Sequence, residues 1–250
     1  MASIWAMAGQ RFEYKYLVTE AQAQVIRGYA CAYLAPDSHA DAALGNTYPV
    51  YSLYLDSGGL ALYYSSRGGN KNRFKLRVRC YDDCPDTPVF FEVKTRRGDA
   101  VGKQRACVRR DAVGRLLESF CPSSNHLAVR TAEACGAAHR FCELGAALMA
   151  RPTAQVRYVR EAYVDRDGGP LRLTMDREIA CLRADRPMVE ANGSGWVALR
   201  NQWVVLEIKF TDTFPLWAGQ MVEALGLART SSAKYVQSVN ALMNAAIAVA

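Results

Sequence analysis

Charged and apolar residues alternate in five separate stretches of this chain, and that pattern narrows the folds open to it more than any other feature. Side chains at i, i+2 and i+4 of a β-strand point to one face of a sheet. By that rule Arg11, Glu13 and Lys15 share a face. Lys75, Arg77 and Arg79 share another, with Phe74, Leu76 and Val78 on the reverse. Glu92, Lys94 and Arg96 are backed by Phe91 and Val93, and Glu207 and Lys209 by Leu206, Ile208 and Phe210. Lys103 and Arg105 complete the set. A sheet with one wetted face also alternates, and for any single strand that reading suffices. Together the rows are too rich in arginine and lysine, because like charges on neighbouring strands repel. A barrel that turns this face inward concentrates the positive field in its lumen, where an anion compensates it.

Other signals place these strands among helices. A strand is expected over 10–17, then a helix over 19–34 with Thr19 as N-cap and Glu20 in its first turn. Residues 36–46 read as loop, 48–56 as a strand, 60–65 as a short helix and 68–70 as a turn. Strands over 73–81 and 88–96 flank a turn at 82–87, and a third over 103–109 follows a turn at 98–102. Helices are expected over 112–120 and 126–150, the second stopped by Pro152. Strands over 154–165 and 171–179 form a hairpin around Asp167-Gly168-Gly169-Pro170. A Gly193-Ser194-Gly195 turn precedes a strand over 203–210, and helices over 216–225 and 232–249 follow. Many antiparallel strands with interspersed helices, without strict βαβ alternation, predict an α+β chain around a barrel or strongly curved sheet.

Composition excludes several classes. The 250 residues include 31 Lys+Arg and 24 Asp+Glu, a formal charge of +7, and half are hydrophobic. This is globular composition, long enough to bury a core. No apolar run reaches the length of a membrane helix, and residues 1–10 lack the features of a secretory signal. The apolar segment 239–250 contains Asn240 and Asn244 and reads as a packed helix end. Eight scattered cysteines without a Cys-x-x-Cys pair favour free thiols in a reducing, cytoplasmic compartment over a zinc site. No phosphate-loop or dinucleotide-binding glycine motif occurs. Nucleic acid is disfavoured, because the basic residues are tied to strand faces that hold acidic partners and no RNP motif, basic helix or zinc finger is present.

The chemistry of the charged rows points to phosphate. Arginine binds phosphate oxygens through a fork, and lysine supplies a point charge. Glutamates fit such a lumen when a divalent cation bridges carboxylate and phosphate, which makes Glu13, Glu92 and Glu207 the metal candidates. An elongated chain of phosphates with a metal suits the rows better than a single phosphate.

The ordered charged strands resemble the VTC domain, the polyphosphate polymerase family first described in vacuolar transporter chaperone complexes, of the triphosphate tunnel metalloenzyme superfamily. The segments that carry the resemblance are RFEYKYLV (11–18), YPVYSLYLDS (48–57), NRFKLRVRCY (72–81), FFEVKT (90–95), GKQR (102–105), LRLTMDREI (171–179), VLEIKF (205–210) and AKYVQS (233–238). The resemblance implies one VTC-type domain over 1–250, an antiparallel β-barrel tunnel with helices packed outside. It implies tunnel roles for Lys15, Arg77, Arg79, Lys94, Lys103, Lys209 and Lys234, and substrate contacts for Arg11, Lys75, Arg105, Tyr158, Arg160 and Arg172. Glu207 matches the family's metal-binding glutamate, with Mn²⁺ or Mg²⁺ as the ion. The related CYTH branch opens with E-x-E-x-K; here Arg11 replaces the first acid, which favours the polymerase branch. The family's Ser-Lys-Tyr is Ala233-Lys234-Tyr235 here, leaving Ser232 or Ser231 to supply the hydroxyl.

The activity implied is transfer of the γ-phosphate of ATP to a growing inorganic polyphosphate chain. The alternatives are a tripolyphosphatase of the same fold and a non-catalytic polyphosphate-binding module. The resemblance also leaves room for a membrane-protein partner that accepts the product and holds the chain at the inner face of a membrane.

Overall fold

The computed structural model describes residues 11–189, 194–199 and 202–249. Residues 1–10, with the expected first strand residue Gln10, lie outside the described residues, as does Gly193 of the expected turn. Ten strands form one antiparallel sheet. They are β1 (Arg11–Val18), β2 (Leu34–Pro36), β3 (Thr47–Asp56), β4 (Asn72–Cys80), β5 (Val89–Arg97), β6 (Ala100–Val108), β7 (Arg151–Asp165), β8 (Arg172–Arg183), β9 (Val197–Ala198) and β10 (Val204–Thr211). The helices are α1 (Glu20–Tyr33), α2 (Ala61–Arg67), α3 (Val113–Ser119), α4 (Ala132–Ala147), α5 (Leu216–Ala224) and α6 (Lys234–Val249). The strand order is β1-β10-β8-β7-β3-β4-β5-β6, with β2 added to β7 and β9 to β8.

Register decides which side chains meet inside. Directly opposed residues of an antiparallel pair lie on the same face. Lys15 opposes Glu207, which opposes Thr174, and Glu13 opposes Lys209, which opposes Arg172. On the other wall Tyr54, Arg77, Glu92 and Arg105 form one row, and Lys75, Lys94 and Lys103 the next. The sheet curls so that these rows face one lumen and the alternate, apolar rows face outward. Leu76, Val93 and Phe91 pack against Leu116 of α3 and Phe141 of α4. Leu206 and Ile208 pack with Ile26 of α1 and Met221 of α5.

The sheet's edges, β1 and β6, come side by side without a hydrogen-bonded ladder. Side chains hold this seam: Lys94 Nζ of β5 reaches both carboxylate oxygens of Glu13 on β1, at 3.1 and 3.0 Å. The free edge of β1 is lined by Arg229, bridged to Tyr16, and by Thr230, whose N–H donates to the Lys15 carbonyl at 2.8 Å.

Local chemistry sets the element ends. Thr19 caps α1 in a reciprocal box with Gln22. The expected helix over 126–150 is shorter, because Leu127 bridges back to Val108 and Thr131 accepts from the Ala134 N–H to start α4. Pro152 does not stop this helix. α4 ends before Met149, which has φ +46°, and Pro152 sits inside β7 opposite Leu55 at a register shift. β6 starts earlier than expected because the preceding turn is tighter. β8 continues to Arg183, past the irregular Glu178 at φ +52°. The short strands β2 and β9 were not expected, since two or three residues carry no periodic signal. Cys80, Cys142 and Cys181 are buried, and all eight cysteines are free thiols. No helix among the described residues is long and apolar enough to cross a membrane.

The Phe91 and Phe141 rings pack with centroids 4.7 Å apart, both fully buried. Phe91→Ala is expected to cost roughly 3–5 kcal/mol of unfolding free energy in urea titration.

Candidate active site

The lumen has two chambers. One, of about 480 Å³, is lined by Lys15, Lys75, Tyr158, Glu207, Ser232 and Lys234 among others. The other, of about 680 Å³, is lined by Arg11, Tyr48, Tyr81, Lys103, Arg105 and Arg172. Both share the walls made by Glu13, Arg77, Arg79, Lys94, Val101, Arg160 and Lys209, so they are two halves of one tunnel with a waist at these side chains. Sixteen lysines and arginines line the two chambers against three carboxylates, Glu13, Glu207 and Asp82.

Glu207 is the centre of the compensated wall. Its carboxylate receives Lys15 at 2.9 Å, Lys234 at 3.1 Å, Lys209 at 3.2 Å and Arg160 at 3.6 Å. Burial works to protonate it, but Lys15, Lys234 and Lys209 outweigh burial and hold the carboxyl well below its ordinary value. Glu13 is held down against burial in the same way by Lys94 and Lys15. Lys15, between both carboxylates, is raised in spite of its burial. Lys209 touches both as well, yet burial, with Arg160 and Lys94 beside it, drives it down to about 7.

Asp176, which sequence reasoning missed, is the second anchor. It is fully buried, takes both forks of Arg160 at 2.6 and 2.7 Å, and pairs with Lys234 at 2.6 Å. It lies four residues from Arg172 on the lumen face of β8, so the alternation that exposed the other rows marks it too. Tyr158 accepts from Arg79 at 3.0 Å, and its ring faces the Lys234 amine at 4.9 Å. Arg79 otherwise bonds only the Ser52 hydroxyl, at 3.3 Å, so this buried guanidinium has no carboxylate partner among the described residues.

Lys234 enters the lumen because α6 is latched to α2. Asp56, fully buried, accepts from the Leu62 and Tyr63 N–H groups at 2.9 Å and from the Tyr235 hydroxyl at 2.5 Å. Tyr235 stacks on the lumen residue Tyr54 at 4.9 Å. Ser232 lies on the wall, but its hydroxyl oxygen accepts from Gln237 at 3.2 Å and its carbonyl from Lys15 at 3.2 Å. Ser231 is the exposed hydroxyl beside Ala233.

The other wall is less fully compensated. Lys75, Lys94 and Lys103 oppose one another across three strands with no carboxylate in their row. Lys94 borrows Glu13 from across the seam, and Lys103 reaches Glu92 only at 3.9 Å. Lys75 has no hydrogen bond or ion pair among the described residues; burial, then Lys94 and Lys15, push it down to about 7. Burial and Arg105 push Lys103 to about 8. In the second chamber Arg105 lies over the Phe90 ring at 4.0 Å and donates to the Tyr81 hydroxyl at 2.9 Å. Arg172 donates to Tyr48 at 2.9 Å and pairs with buried Asp37, and Arg11 is exposed at the mouth.

One expected metal candidate is misplaced. Glu92 is not on the tunnel wall. It is wholly buried beneath Arg77 (2.5 Å) and Arg105 (2.8 Å), both its oxygens taken, and acts as their counter-charge. Glu13 and Glu207 remain as lumen oxygen donors. No cluster of three or more His, Cys, Asp or Glu residues that could hold a metal exists among the described residues. Two carboxylates fit an ion that takes its other oxygens from phosphate and water, as Mg²⁺ characteristically does.

A family model described as the VTC domain matches residues 10–243. No curated protein matches. Among solved structures, a "putative adenylate cyclase" (bh2851) of Bacillus halodurans has a TM-score of 0.50 at 11% identity, covering 90% of this chain and 94% of that one. The PH1819 protein of Pyrococcus horikoshii OT3 has a TM-score of 0.45 at 12% identity, covering 91% and 96%. At such identities the first likeness is one of fold alone. With the family model spanning every described strand, the chain belongs to the VTC domain family.

Proposed function

We propose that this protein is a polyphosphate polymerase that transfers the γ-phosphate of ATP to a growing inorganic polyphosphate chain. The observation that carries the reading is the lysine row Lys75–Lys94–Lys103 in a tunnel with two chambers. Such a row costs stability until a polyanion lies along it. A triphosphate bound at the waist would meet Arg77, Arg79 and Lys94 on one side and Lys15, Lys209 and Lys234 on the other. The terminal phosphate oxygen of the acceptor chain attacks the γ-phosphorus, the bond from γ-phosphorus to the β-γ bridging oxygen breaks, and ADP leaves with that electron pair. The attacking oxygen is already ionised near neutral pH, so positioning and charge neutralisation are the protein's task. Lysines hold Glu13 and Glu207 well below the ordinary carboxyl value, which makes both weak bases toward water. That favours phosphate over water as the attacking group. A divalent ion held by Glu207 and Glu13, Mn²⁺ or Mg²⁺, would supply further neutralisation of the phosphate oxygens.

Incubation with ATP and Mn²⁺ is expected to give ADP and long-chain polyphosphate in equal phosphate equivalents. Orthophosphate as the sole phosphate product would replace this reading with a phosphatase, and binding without turnover would replace it with a binding module. Arg77→Ala and Lys94→Ala are each expected to lower turnover by at least about a hundredfold with the circular dichroism spectrum unchanged.

Lys75 and Lys103, near 7 and 8 in the free protein, gain a partner when phosphate arrives, so their affinity for protons rises. Binding then takes up protons, and ATP affinity is expected to fall as pH rises from 7 to about 9. Calorimetry at pH 8 in two buffers of different ionisation heat measures the uptake, which Lys75→Met should reduce.

A further inference from the structure

One amine on the tunnel wall stands apart from the others. Among the described residues Lys15, Lys94, Lys103, Lys209 and Lys234 each reach a carboxylate, and Lys75 reaches none. Lys75 is half-buried in β4 and lines the first chamber, of about 480 Å³. Lys94 of β5 opposes it directly. Arg73 and Arg77 flank it on the same face of β4, one rung away on either side, about 7 Å each. These three, with Lys15 of β1, are the strongest charges acting on the amine, and all four are cations.

Two chemical consequences follow from this position. Burial and the four cations oppose a further positive charge, and with its proton affinity lowered to about 7 much of Lys75 is free amine at neutral pH. A desolvated amine beside other cations is a nucleophile. The same neighbours stabilise any negative charge carried by a group attached to its nitrogen, and guanidinium forks suit the two oxygens of a carboxylate. The site therefore favours a small, uncharged electrophile whose addition turns a cation into an anion.

We propose that Lys75 is a carbamylation site, at which dissolved carbon dioxide adds reversibly to the amine and supplies the carboxylate that the row Lys75–Lys94–Lys103 lacks. The nitrogen lone pair forms the new bond to carbon, one C=O electron pair moves onto oxygen, and the amine proton leaves to water. The product, R–NH–COO⁻, carries one negative charge where the ammonium carried one positive. No oxidant or leaving group is involved, and loss of carbon dioxide restores the amine. A bound phosphate favours the protonated amine and the carbamate needs the neutral one, so each lowers the affinity for the other. This exclusion rests on the function proposed above, whereas the modification itself does not.

The test is ¹³C NMR of the full chain equilibrated with ¹³C-labelled bicarbonate at about pH 8, beside the variants K75R and K103R. One carbamate signal besides that of the α-amino group is expected, lost in K75R, kept in K103R and removed by excess tripolyphosphate. The absence of such a signal, or its persistence in K75R, overturns the site. Calorimetry reads the exclusion: exchanging acetate for carbon dioxide and bicarbonate at equal ionic strength is expected to weaken tripolyphosphate binding at least about threefold in the unaltered protein, and in K75R by less than about 1.5-fold. An equal loss in both proteins means competition by bicarbonate as an anion and overturns the exclusion. A Lys75 carbamate in a protein that neither binds tripolyphosphate nor makes polymer upholds the site while the polymerase reading fails. Polymer synthesis without a Lys75 carbamate does the reverse.

Discussion

Mutual repulsion among cations enclosed by a barrel is the constraint to which the rest of this structure responds. Inside a lumen with low-dielectric walls, each unpaired charge interacts more strongly than it would in water. One wall meets the problem with buried carboxylates. Glu207 gathers four cations and Asp176 two, and both stay ionised although burial opposes it. The other wall has Glu92 alone, hidden behind Arg77 and Arg105, and its lysine row is left with lowered proton affinity. The asymmetry makes a rigid, neutralised side facing an electrostatically unsatisfied one. Phosphate fits between them.

The helices serve this arrangement from outside. Their apolar faces cover the outward rows of the sheet, so the curl is fixed by packing as well as by the ladder. α6 does more, because Asp56 ties Tyr235 to the start of α2 and so delivers Lys234 to Asp176 and Glu207. A tunnel residue is thus positioned by a carboxylate that never faces the lumen.

The α+β class, most strand positions and the facing rows were legible because a period of two and charge together leave few readings. Arg77, Lys94 and Glu207 needed nothing more than that period to be placed on one face. What was hidden had no charge alternation to betray it. β3 turns Tyr48, Ser52 and Tyr54 to the lumen, and a search for charge passes over them. Asp56 acts through backbone N–H groups six and seven residues away, a contact that spacing does not reveal. Glu92 shares a face with Lys94, as expected, but whether a carboxylate sits on a wall or under it depends on the bulk of its neighbours, which alternation does not encode. The start of α4 was missed because the bridge from Leu127 to Val108 is a tertiary contact that overrides good helix propensity.

The strict two-residue period also governs how such a chain can change over time. Substitutions along a lumen row alter charge one position at a time and leave the wall standing. Adding or removing one residue within β4 or β10 would exchange the ionic row for Leu76 and Val78, or for Leu206 and Ile208, and put arginine and lysine against the helices. Length variation is therefore tolerable only at turns and beyond irregular points such as Glu178, which follows the last ionic contact on β8 with the lumen, at Asp176. A tunnel of this kind drifts by side-chain replacement, with its strand lengths held fixed.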